Sequence, residues 1–64
     1  MCEAKVFLET NNGERRLLME DVVSITPVAE RLELVDLFGE QKSVNASIKE
    51  IKLLEHEVLL QTSG

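Results

Sequence analysis

Tryptophan and tyrosine are absent from this sequence, and its only aromatic side chains are Phe7 and Phe38. Few rings are therefore on hand to stack on bases or sugars, which argues against a nucleic-acid platform of the aromatic kind. The one cysteine, Cys2, excludes an internal disulfide. It suits a reducing cytoplasm, although a bond between two chains stays open. No apolar run approaches the roughly 20 residues that span a bilayer, and no charged-then-apolar leader opens the chain. The expectation is a soluble cytoplasmic protein. Also missing are a serine, histidine and acid arrangement, a glycine-rich phosphate loop and a second cysteine for redox cycling. With 64 residues there is little room for a substrate pocket. Catalysis is not expected.

What is present is aliphatic and acidic. Hydrophobic residues make up 44% of the chain, too many for a disordered tail, and most are Leu, Val and Ile. Residues 1–64 make one domain, and a chain of this size buries only about 60% of its unfolded surface, so dimerisation would relieve a thin margin of stability. Twelve Asp and Glu against seven Lys and Arg give a net charge of -5, which repels phosphate backbones.

The pattern is that of strands. Ala4, Val6 and Leu8 alternate with Glu3, Lys5 and Phe7, so Cys2 would share the apolar face while Phe7 packs against another chain or under a loop. Thr10-Asn11-Asn12-Gly13 carries hairpin chemistry, leading to a partner strand at Arg15 to Met19. Glu20-Asp21 interrupts the pattern before Val22 to Thr26 resumes it, and Pro27 marks a strand end or sheet edge. Arg31 to Leu34 alternates cleanly, after which the phase shifts at Val35-Asp36-Leu37, predicting a bulge or bend. Phe38-Gly39 would close that strand, with the ring covering the turn, and Glu40 to Val44 forms another. Residues 47–61 read two ways. Ser47 to Glu50 matches a helix capping box, yet the alternation on either side of Glu55-His56-Glu57 matches a closing hairpin, and the hairpin is preferred. The fold expected is all-β, a small bent sheet or barrel of about six to seven short antiparallel strands.

Three stretches carry a family resemblance: Met1 to Val6, Leu37 to Lys42, and Ile48 to Ile51 ahead of the closing hairpin. In order, spacing and total length they resemble the CooT family, small nickel-binding accessory proteins associated with maturation of carbon monoxide dehydrogenase. The resemblance implies a small β-barrel, a homodimer, and nickel bound through the near-terminal cysteine, here Cys2.

Given that metal, the donors can be counted. Cys2 offers a thiolate and Met1 a terminal amine; if Met1 is removed, the amine is that of Cys2. One chain supplies too few donors for a closed site. Two symmetry-related amino termini supply two thiolates and at least two nitrogens, enough to surround one Ni(II) in a tetragonal or square-planar arrangement. His56, flanked by Glu55 and Glu57, reads as an exposed hairpin tip, and Glu14, Glu20 and Asp21 as solvated turn charges. The competing function is a small RNA-binding barrel, which would need a basic face assembled from Arg15, Arg16, Arg31, Lys42, Lys49 and Lys52.

Overall fold

A computed structural model describes residues 3–62. These form six strands and no helix: β1 (Ala4–Glu9), β2 (Arg15–Val28), β3 (Arg31–Asp36), β4 (Gln41–Val44), β5 (Ala46–Lys52) and β6 (Glu57–Thr62). They lie in one sheet in the order β4-β3-β2-β1-β6-β5, curled into a half-barrel. The curl brings β5 back toward β3.

The expected all-β class holds, with one correction to strand direction. β1 and β6 pair in parallel, Val6 opposite Val58 and Leu8 opposite Leu60, so the sheet is mixed. Every other neighbouring pair is antiparallel. Residues 47–61 are the hairpin and not a helix: β5 and β6 are joined by a turn in which the His56 amide donates to the Leu53 carbonyl at 3.2 Å. The rows Ile51 with Val58 and Ile48 with Leu60 extend the inner face of the sheet, and that pairing outweighs the capping-box chemistry at Ser47.

Alternation fixes the core. Val6, Leu8, Val22, Leu32, Leu34, Ala46, Val58 and Leu60 are buried together, with Ala4 and Met19 packed at their margin. Phe7 points the other way. It lies between Leu17 of β2 and Leu59 of β6 as cross-strand neighbours on the outer face, where Leu59 is only 4% exposed but Leu17 is 45% exposed.

β2 is a single strand where two were expected. It runs through Glu20-Asp21 because it carries one residue more than its neighbour at three places: twice against β1, between Val22 and Leu17, and once against β3, between Val22 and Ser24. Each such bulge bends the strand and sharpens its twist, which is how one long strand can serve both β1 and β3 in a curled sheet. Asp21 takes a left-handed φ of 56° at the first of them. The bulge expected in β3 therefore falls in β2. β3 keeps a strict inward alternation of Leu32, Leu34 and Asp36, the last a buried carboxylate. Its Oδ1 accepts hydrogen bonds from the amides of Phe38 at 2.9 Å and Glu40 at 2.8 Å, so a polar residue can hold a core position by organising the turn that follows. Phe38 does not cover that turn; it is 79% exposed.

Candidate metal centre

Cys2 and Met1, the residues singled out as ligands, lie outside the described residues. What can be described is where β1 begins. Ala4 pairs with Val22, and the Lys5 amide donates to the His56 carbonyl at 2.9 Å. Glu3 thus enters between the kink of β2 and the β5–β6 turn, at a cavity of about 200 Å3 lined by Glu3, Lys5, Asp21, Glu55, His56 and Glu57.

The cavity gathers four carboxylates and one imidazole around a single lysine. Its chemistry favours cations. Yet among the described residues no group of three or more His, Asp or Glu side chains converges closely enough to hold a metal ion. His56 is exposed at the hairpin tip, as its charged flanks suggested, with a left-handed φ of 55°.

Other charged residues have structural partners. Glu9, half-buried at the end of β1, receives the Lys49 ammonium and the Arg15 guanidinium, the latter at 3.3 Å. Lys49 is the extra residue of a bulge in β5, between Ile48 and Glu50, and its side chain crosses β6 to reach Glu9. The hydrogen bond from Lys49 is the largest influence holding the Glu9 carboxyl below its ordinary value; partial burial opposes it, and Arg15 adds a smaller downward pull. Arg31 pairs with Glu33 at 3.7 Å, and Lys42 donates to the Leu18 carbonyl at 3.2 Å. The cations proposed for an RNA face are thus spread over several strands, and four of the six are engaged by oxygens of the chain itself. Sequence reasoning missed two features: the clustering of Asp21 with His56, which depends on the parallel β1–β6 pairing, and the inward carboxylate of Asp36.

The described residues thus form a small all-β half-barrel with an acidic cavity where β1 begins. Comparison with known proteins shows the family. The model of the CO dehydrogenase accessory protein CooT matches residues 1–61, and the chain belongs to the CooT family. In the crystal structure of a Carboxydothermus hydrogenoformans chain assigned to CooT, the same fold is found with a TM-score of 0.89 at 35% identity, over 98% of this chain and 100% of that one. An uncharacterized protein of Methanocaldococcus jannaschii is 33% identical over 61 residues, 95% of this chain and 98% of its own length. Membership of an accessory-protein family agrees with the absence of catalytic motifs from the sequence. No helix among the described residues is long and apolar enough to cross a membrane.

Proposed function

We propose that this protein is a cytoplasmic, metallochaperone-like accessory protein that binds one Ni(II) per homodimer through Cys2 and delivers it during maturation of a nickel enzyme, carbon monoxide dehydrogenase. The observation that carries the reading is the family match, which covers residues 1–61 and so includes Cys2. The cavity beside Glu3 supports it. Four carboxylates there raise the local concentration of divalent cations without themselves forming a closed cage.

Each chain contributes the Cys2 thiolate and an amine nitrogen, from Met1 or, after its removal, from Cys2. Two chains complete four donors. A site at a seam between chains is open to an incoming thiol, so its cargo can leave by ligand exchange, as transfer to a recipient requires.

The test is Cys2→Ser. A hydroxyl in place of each thiolate removes both sulfurs, while the substituted residue precedes the described strand β1 in the chain. Titration of metal-free protein, followed by native mass spectrometry and by sulfur-to-nickel charge-transfer absorption, should show one nickel per two parent chains and none held tightly by the variant. Residues added ahead of Met1 should also weaken binding, because the amine becomes an amide. A variant that binds nickel like the parent, with the same spectrum, would overturn the assignment.

A further inference from the structure

The face of a sheet turned away from its core is ordinarily polar. Here its middle is not. Phe7, with Leu17 on one side and Leu59 on the other, runs an apolar row across the outer face at the place where β1 departs from the alternation of Val6 and Leu8 with polar residues. Phe7 and Leu59 line a cavity of about 140 Å3 together with Val58, Arg15, Lys52 and Glu57. An apolar cavity of about 150 Å3 accepts a benzene ring, so there is room for one ring or one branched aliphatic group.

The charges at this cavity do not cancel. Lys52 stands opposite Glu57 on β6, and Glu57 in turn stands opposite Lys5 on β1, so one carboxylate lies between two ammonium groups. Ion pairs among the described residues join Arg15 and Lys49 to Glu9 and Arg31 to Glu33, and neither Lys5 nor Lys52 takes part in one. Arg15 has Glu9 on its Nε at 3.3 Å, which leaves Lys52 as the unanswered cation of the cavity. Lys52 is half-buried, with its stem beside apolar side chains.

We infer that this outer-face cavity binds a small monocarboxylate with an apolar body, the body lying on Phe7 and Leu59 and the carboxylate on the Lys52 ammonium. The charges choose the ligand. An amine meets Lys52 and Arg15 as like charges, a dicarboxylate brings its second charge against Glu57, and a neutral ring leaves Lys52 without a partner. A carboxylate gives the ammonium a charge-assisted hydrogen bond next to apolar surface, where such a contact is stronger than in open water. The cavity touches β1, β2, β5 and β6, so its occupant bridges four strands of the sheet. This site is separate from the metal site proposed at the amino terminus and needs neither nickel nor a second chain.

Benzoate is the probe. Titrated into the isotope-labelled full chain, it should shift the Phe7 ring, the Leu59 methyl groups and the Lys52 side chain along one saturating curve, with the millimolar dissociation constant expected of so small a ligand. It should also raise the thermal midpoint, because it binds only the folded chain. Benzylamine and benzyl alcohol carry the same ring and should each bind about tenfold more weakly or worse. Lys52→Met keeps the apolar stem and should lose about the same factor, while Lys52→Arg should recover most of it. Arg16→Gln removes a positive charge from the opposite side of β2 and should bind benzoate like the parent. Benzyl alcohol binding as tightly as benzoate, shifts that never saturate, or Lys52→Met binding like the parent would each overturn the site. The first two are read on unaltered protein, so they decide the matter even if a variant fails to fold.

Discussion

Glu9 shows how much one side chain can join in a sheet of this size. It sits at the end of β1 and receives Arg15 from β2 and Lys49 from β5, so a single carboxylate ties together strands on both sides of it. Its carboxyl is held below the ordinary value, chiefly by the Lys49 hydrogen bond. The stability it contributes is therefore fully present above the unfolded-state value and is lost as pH falls through the lowered folded-state value. Lys49→Met should move the Glu9 titration upward, read from its side-chain carboxyl resonance. The thermal midpoint of the variant should also decline less steeply than the parent's across the carboxylate range. Identical titration curves in the two proteins would mean that the Lys49 contact is not maintained in solution.

Among the elements, β2 is the one that decides the shape. Its bulges let it leave β1 and join β3 without a break, and Asp21 makes the first of them by adopting a left-handed backbone. Such a conformation costs an L-residue about 1–2 kcal/mol, least for Asp and Asn, more for β-branched side chains, and nothing for glycine. Asp21→Gly should thus leave stability within about 1 kcal/mol of the parent, and Asp21→Val should lower it by about 2 kcal/mol or more in urea denaturation. Equal stability of the two variants would contradict the backbone argument. This strand also marks where the sequence stops being readable. Ala4, Val6, Leu8 and Leu32, Leu34 declare their strands because one face is buried and the other is not. Glu20-Asp21 looks like a chain break because a bulge disturbs the period of two without ending the pairing. Asp36 hides its inward position because the amides that satisfy it belong to a turn. Cys2 lies outside the described residues, and its assignment as a ligand rests on the family resemblance and not on residue type alone. The surroundings of Glu3 are not legible in the sequence, since His56 reaches them through a pairing of strands far apart in the chain.

For the molecule as a whole, the core is one small aliphatic cluster, and Leu37, Phe38, Leu53 and Leu54 stay exposed. If two copies associate as proposed, folding and association are linked by mass action. The unfolding midpoint of the apo parent should then rise with protein concentration; a midpoint independent of concentration would exclude a dimer that stabilises the fold. The parallel pairing of β1 with β6 has a further consequence, one of timing. The hairpin of β1 with β2 is local and can form quickly, but the neighbour of β1 on its other side, beginning with Glu57 opposite Lys5, is the last of the described strands in the chain. Non-local pairing of this kind slows folding. The cavity beside Glu3 takes its lining from the start of β1, the kink of β2 and the β5–β6 turn, so it exists only once that long-range pairing has formed.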